Sequence, residues 1–268
     1  MFGQWVNEIP SLAQSFQTAE PFEHVIIENF LDEEVAQRLS VGFPTPVKEK
    51  TLLWHHYDNP LEQKYACNDF GNPRLATYNA IFDEWQSEET VELMRQISGI
   101  PNLESDPFLH GAGIHASPTR GKLDMHLDYS IHPLSGKERR LNLIYYLNDD
   151  WCDEWGGNLQ LRDTSLTQVK EIPLKWNTAV LFRTCDVSYH GFPTPVKCPS
   201  DVYRKSLAIY YVTDPRPEAT HRLKAKFVPV PRQPVSENLQ KLYDIRPERR
   251  ITESDLWEGW REEGSGYW

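Results

Sequence analysis

The chain has 268 residues, of which 39% are apolar and 12% aromatic, enough to bury a sizeable core and too apolar for a disordered segment. A formal charge of -11 argues against nucleic acid or an anionic membrane as partner, since both are recognised through basic surfaces. The short basic clusters Arg139-Arg140 and Arg246 to Arg250 read as solvated faces. The first residues lack the basic-then-apolar pattern of a signal peptide, and no apolar run reaches membrane-spanning length. Cys67, Cys152, Cys185 and Cys198 are scattered without a C-x-x-C pair, so reduced thiols in a cytoplasmic protein are expected.

In chain order, residues 23–27 read as a strand. Asp32 caps a helix through residue 39, with Val35, Ala36 and Leu39 on one face. A loop punctuated by Pro44, Pro46, Pro60 and Pro73 follows. Residues 75–100 turn helical, with Ile81, Phe82, Trp85, Leu93, Met94 and Ile97 at three and four spacings. Short β-rich runs then recur at 108–116, 123–127, 141–147, 158–161, 178–182 and 206–212. Such spacing suggests a sandwich or barrel rather than a parallel βαβ sheet. Residues 215–234 are proline-rich and read as a surface wrap. Ser236 caps a helix to residue 243, and Thr252 a shorter one. With no repeat and no linker, one domain over 1–268 is expected. Strand and helices at 1–106 pack on a β core at 107–213, and 214–268 wraps it.

Two His-x-Asp pairs occur, His56-Tyr57-Asp58 and His126-Leu127-Asp128. A pair alone carries little weight, because a metal site of the two-histidine, one-carboxylate kind needs a third ligand from a distant strand. His56-Tyr57-Asp58 runs straight into Asn59-Pro60 and reads as a structural turn. His126 ends a strand-like run, and His190 follows the apolar strand Ala179-Val180-Leu181-Phe182. Arg204 then opens the run 206–211. An arginine at the mouth of a buried aromatic strand calls for an anion, because an unpaired buried cation is costly.

With these strands the chain resembles the iron(II)/2-oxoglutarate-dependent dioxygenases, in their prolyl 4-hydroxylase-like branch. The matching text is H-L-D from His126, L-N-L-I-Y-Y-L-N from Leu141, W-G-G-N-L-Q-L from Trp155, Y-H-G-F from Tyr189 and R-K-S-L-A-I-Y-Y from Arg204, spanning about 107–213. The resemblance implies a mainly β fold with flanking helices around a double-stranded β-helix, the jelly roll. It implies Fe(II) held by His126, Asp128 and His190, and Arg204 on the distal carboxylate of 2-oxoglutarate. Tyr146 stands where the family places a hydroxyl on that carboxylate, with a packed core aromatic as the plainer reading. Alternation puts Asn142, Ile144 and Tyr146 on one face, looking into the barrel. Leu159 and Ala208 are expected as apolar walls of the cosubstrate pocket. Ser206 is either a hydroxyl contact or an ordinary strand serine.

The chain departs from the family at one point. Where the branch carries a tyrosine before the first iron ligand, the chain reads His115-Ala116-Ser117-Pro118, so His115 or Ser117 substitutes or the contact is absent. His110, His115 and His132 read as structural or supporting groups. Asp128 keeps the carboxylate that related halogenases lack, which points to hydroxylation. The implied reaction consumes O2, converts 2-oxoglutarate to succinate and hydroxylates a C–H of a prolyl or peptidyl substrate, with ascorbate as a possible activator. A free amino acid or small metabolite is the other substrate class, and a non-catalytic metal-binding barrel the other kind of protein. Residues 129–137 and 53–69 are expected to form a lid.

Overall fold

The computed structural model describes residues 1–263. Its strands are β1 (His24–Ile27), β2 (Trp54–Asn59), β3 (Glu62–Cys67), β4 (Glu104–Ser105), β5 (Gly113–Ser117), β6 (Lys122–Leu127) and β7 (Glu138–Tyr146), followed by β8 (Leu159–Arg162), β9 (Val169–Ile172), β10 (Thr178–Arg183), β11 (Tyr189–Phe192), β12 (Arg204–Thr213) and β13 (Lys226–Phe227). The main helices are α1 (Ile9–Thr18), α2 (Glu33–Val41), α3 (Ala76–Trp85), α4 (Glu88–Ser98) and α5 (Glu237–Ile245). One curled antiparallel sheet runs β1-β10-β7-β12-β5-β3-β6-β11-β8-β9, with β13 on β6, β2 on β3 and β4 on β12. It is the expected jelly roll. No helix among the described residues is long and apolar enough to cross a membrane.

β7 and β12 are buried on both faces, because helices cover one side and the barrel interior the other. Register places Tyr146 opposite Ser206, Ile144 opposite Ala208 and Asn142 opposite Tyr210 on the inner face. Leu141, Leu143 and Tyr145 point outward into a core with Phe16, Phe30, Phe82 and Trp85. Each such side chain contributes about 1.5–3 kcal/mol by leaving water. The Tyr211 hydroxyl donates to the Trp85 carbonyl at 3.0 Å, tying α3 to the sheet.

The helical stretch 75–100 is two helices. Ser87 breaks it by accepting from the Thr90 N–H at 3.2 Å, a cap that starts α4. Gly99 closes α4 at φ 68°. Asp32 sits at the start of α2, but its carboxylate meets the amino group of Met1 at 3.0 Å and caps nothing. Ser236 does cap α5, accepting from Leu239 N–H.

Several expectations need correction. The loop and lid read at 53–69 is the hairpin β2–β3, hydrogen-bonded through β3 to both β5 and β6. β2 is polar, with His55 and His56 exposed and the rest half-buried or buried, so it shows no alternation; main-chain pairing with β3 and ring contacts of Trp54 and His56 with Tyr65 hold it in the sheet. Residues 108–112 form turns, so only the second half of the run 108–116 is strand. β9 and β11 were not visible as strands. The wrap at 215–234 contributes β13 to the sheet. Residues 264–268 of the expected C-terminal wrap lie outside the described residues.

Candidate active site

β6 and β11 pair so that His190 stands directly opposite His126, with ring centroids 4.4 Å apart. Asp128 lies just past β6, two residues from His126. The ligating atoms of His126, Asp128 and His190 fall within 4.8 Å of one another, the one such cluster among the described residues. Phe227 stacks on the His126 ring at 4.9 Å, and Phe182 packs on His190 at 4.8 Å, fixing both rings. Close pairing needs Gly191, where a Cβ would come 2.7 Å from the Leu123 carbonyl oxygen.

Protons decide what this cluster can do. His126 Nδ1 is 2.9 Å from the Asp124 carbonyl and His190 Nδ1 is 2.9 Å from the Ser188 carbonyl. A carbonyl only accepts, so each Nδ1 carries the proton, and in a neutral ring Nε2 then presents a lone pair. Those Nε2 atoms face the Asp128 carboxylate at 3.5 Å and 3.3 Å. Burial and the neighbouring His190 lower the pKa of His126, keeping that ring neutral. Burial works against a charge on Asp128, yet the Arg139 guanidinium leads the groups that hold its carboxyl well below the usual range. Three lone-pair donors converging without a proton between them repel unless a cation joins them. The donor set, two imidazoles and one carboxylate with backbone carbonyls orienting the rings, fits a divalent iron.

Residues 112–212 match the model of the 2OG-Fe(II) oxygenase superfamily. The match covers the β core that carries the triad and Arg204. No curated protein matches the chain. Its structure is similar to a prolyl hydroxylase of Trichoplax adhaerens in complex with a hypoxia inducible factor oxygen degradation domain peptide fragment (TM-score 0.55, 15% identity, covering 79% of this chain and 94% of that one). It is also similar to a Pseudomonas putida prolyl-4-hydroxylase (0.55, 14%, 77% and 100%) and to a prolyl 4-hydroxylase of Phytophthora capsici (0.53, 18%, 98% and 76%). It is a 2-oxoglutarate-dependent oxygenase, an oxidoreductase that uses Fe(II), 2-oxoglutarate and O2.

Within this oxygenase, an inner chamber of about 70 Å³ extends from the three ligands into the barrel. Asn142, Leu159, Arg204, Ser206 and Ala208 all line it, as do His115 and Ser117. Arg204 lies at its end, donating from Nε to the Gly157 carbonyl at 2.8 Å and from Nη2 to the Tyr146 hydroxyl at 3.3 Å. A Cβ on Gly157, which sits at φ +79°, would come 3.2 Å from Arg204 Cδ. Tyr146 thus reaches the site through Arg204, while its ring packs with Leu159 and Phe182. Asn142 donates to Asp128 at 3.3 Å, and its Oδ1 is buried without a partner. Burial, with Lys64 and Arg204 nearby, pushes His115 down to about 3, so it is uncharged.

His56 and Asp58 stand apart from the triad. His56 stacks on Tyr65 at 4.3 Å and Asp58 pairs with Arg261, in a strand and not in the expected turn. His132, the second histidine of residues 126–132, turns away from the chamber: its Nδ1 accepts from Leu134 and Ser135 N–H, and Nε2 lies 3.3 Å from Asp106.

An outer chamber of about 220 Å³ opens from the triad; sequence reasoning missed Arg139 and Tyr210 in it, and had Lys64 and Tyr129 only as parts of the segments expected to form a lid. Arg139 and Arg140 are buried, at 2% and 8% exposure, instead of solvated. Tyr211 pairs with Leu141 but Val212 with Arg139, so β7 carries one extra residue at Arg140. That bulge switches faces, bringing Arg139 to the inner side where strict alternation would put Arg140. Arg246 is also buried, donating to Glu62 Oε1 at 3.1 Å and 3.0 Å, whereas Arg249 pairs with Asp255 at the surface.

Proposed function

We propose that this oxygenase hydroxylates a C–H of a prolyl or other peptidyl substrate, coupled to decarboxylation of 2-oxoglutarate to succinate. In this reading His126, Asp128 and His190 hold Fe(II), which when bound activates O2 for attack on an unactivated C–H. Arg204 meets the distal carboxylate of 2-oxoglutarate as a planar, permanently charged fork, with the Tyr146 hydroxyl steadying the fork. Leu159 and Ala208 exclude water around the carbon chain, while Ser206 and Asn142 offer polar contacts.

The observation that carries the substrate class is a groove of about 730 Å³ lined by Trp54, Trp257 and Trp260. It shares His55, Tyr57, Glu62, Arg246 and Arg250 with the outer chamber, so the iron site opens onto a surface channel. An extended peptide fits an open channel, whereas a small metabolite is better served by an enclosed pocket. The peptide in the Trichoplax adhaerens complex supports the same reading.

The test is succinate release from 2-oxoglutarate with Fe(II) and ascorbate, followed by a mass search for peptides that gain one oxygen atom. Absence of succinate and of iron binding would leave a non-catalytic barrel. Succinate release with oxygen gained only by free amino acids or metabolites would move the substrate to the small-molecule class.

A further inference from the structure

We infer that the substrate presents a carboxylate, which Arg139 and Lys64 hold beside the metal site. The inference rests on the reading of the triad as an Fe(II) oxygenase site and names the chemistry of what enters the outer chamber.

Arg139 carries the argument. Its guanidinium lies between two tyrosine rings, 3.0 Å from the centroid of Tyr210 and 4.5 Å from that of Tyr129. Such a sandwich fixes the plane of the fork before any ligand arrives. The residue is 2% exposed, lines the outer chamber, and its Nε and Nη2 are buried with no hydrogen-bond partner. The nearest carboxylate is Asp128, 3.5 Å from Nη2, already facing both imidazoles.

Lys64 reaches the same chamber from β3 and lines the inner chamber as well, so it stands between Arg139 and Arg204. Its nearest carboxylate is Glu62 at 3.9 Å, and Glu62 is the hydrogen-bonded partner of Arg246. The charges around the chamber therefore do not close. Glu62 also answers Arg246 and Asp128 also faces the imidazoles, so Arg139 and Lys64 each share a carboxylate that is already engaged and three cations stand against two anions. 2-Oxoglutarate does not answer Arg139, which lines only the outer chamber, because the distal carboxylate belongs with Arg204 in the inner chamber and the other end with the metal. A buried cation without a counter-charge is costly to keep, and a cation fixed between aromatic rings at the reacting end is suited to a planar carboxylate. That carboxylate has two sources: an aspartate or glutamate beside the target residue of a peptide, or the free acid of a small molecule.

The experiment uses the full chain loaded with Mn(II) and 2-oxoglutarate under argon, which cannot turn over. Four probes are titrated: N-acetylproline, its carboxamide, and two proline tripeptide amides with either aspartate or asparagine beside the proline. Relaxation of probe protons by Mn(II) reports binding next to the metal. At least one acid should bind at least about tenfold more tightly than its amide twin, the low end of the coupling energy of a close charge pair. The aspartate peptide winning marks a peptide acid, and N-acetylproline winning marks a free acid. Arg139→Gln and Lys64→Met should each erase that preference while 2-oxoglutarate binding is retained. Equal binding of acids and amides, or no binding of either acid, overturns the inference. So does an acid preference intact in Lys64→Met while Arg139→Gln merely loses Mn(II), which would make Arg139 a positioning residue for Asp128. If 2-oxoglutarate itself does not bind the wild-type Mn(II) protein, the oxygenase reading of the triad falls first; if it binds and the acid preference is missing, only this inference falls.

Discussion

Replacing Arg204 by methionine separates what this residue does for the ligand from what it does for the fold. The guanidinium is 5% exposed, makes two hydrogen bonds within the protein, and lies 4.2 Å over the Phe192 ring. No carboxylate among the described residues forms an ion pair with it, and burial lowers its pKa. In the ligand-free protein two effects oppose each other. Methionine removes a cation without a counter-charge, which helps, but strands the Gly157 carbonyl, which costs about 1–3 kcal/mol. Methionine also fills most of the space, so the net change should stay below about 2 kcal/mol, or roughly 4–8 °C in Tm for a chain of this size. With 2-oxoglutarate present the effects no longer cancel. Breaking a buried charge pair costs about 3–5 kcal/mol, and every 1.4 kcal/mol is about tenfold in affinity. The Kd for 2-oxoglutarate should therefore rise by about a hundredfold to a few thousandfold. The assay is thermal unfolding of the Mn(II) protein with and without 2-oxoglutarate. At a ligand concentration one hundred times its Kd, the wild type gains about 2.7 kcal/mol, a gain the variant should lose at the same concentration. An unchanged ligand-induced rise in Tm would refute the assignment of Arg204. Loss of Mn(II) binding in the same variant would show that the substitution disturbs the triad and not the cosubstrate pocket.

Three further outcomes are expected. His126→Ala and Asp128→Ala should abolish stoichiometric Mn(II) binding, measured by the loss of the free-ion spin resonance signal, whereas His56→Ala should bind as the wild type does; equal loss from His56→Ala would mean that the wrong pair holds the metal. Gly191→Ala forces a Cβ to 2.7 Å and 2.8 Å from the Leu123 and Asp124 carbonyl oxygens, so it should destabilise by about 1–3 kcal/mol in urea unfolding and weaken Mn(II) binding through His190. Glu138 accepts from Arg216 N–H, Nε and Nη2 at 2.9, 3.1 and 2.7 Å; burial opposes its charge, but the Arg216 contacts lower its pKa overall. A lowered carboxylate pKa adds stability above the unfolded value of about 4.3 and loses it as pH falls through the folded value. Glu138→Gln should thus cost about 1–3 kcal/mol at pH 7, discounted for the partly exposed Arg216, and progressively less on acidification below about pH 4. A cost independent of pH would show that packing, not the ion pair, is at stake.

Much of the β core was legible because β7, β10 and β12 carry apolar runs and β6 alternates Leu123, Met125 and Leu127 with polar residues, and a buried strand announces itself through its side chains. The hairpin β2–β3 was not legible. Its strands carry Trp-His-His-Tyr-Asp-Asn and Glu-Gln-Lys-Tyr-Ala-Cys, polar enough to read as loop, and they join the sheet through main-chain hydrogen bonds that any side chain allows. β11 was missed because four residues, Tyr-His-Gly-Phe, are too few to show a period. Helix ends fared better where a serine caps, as at Ser236, than where an acid does, since Asp32 found a stronger partner in an amino group.

His126, Asp128, His190 and Arg204 could be picked out in the sequence because each lies on or beside a β-run, and the order of those runs with their motifs resembles one family. The geometry of the inner chamber follows from simple alternation along β7 and β12, which brings Asn142, Ile144, Ser206 and Ala208 to one face. The outer chamber obeys no such local rule. Arg139 enters it only because a bulge at Arg140 reverses the faces of β7, and Lys64 and Phe227 enter from a polar hairpin and a proline-rich segment far away in the chain. Period and motif are properties of neighbours in sequence, so the sequence alone determined the jelly-roll core and the metal-binding residue types. Which cations face the substrate depends on strand register and on segments packed from a distance, and that was decided only in the folded chain.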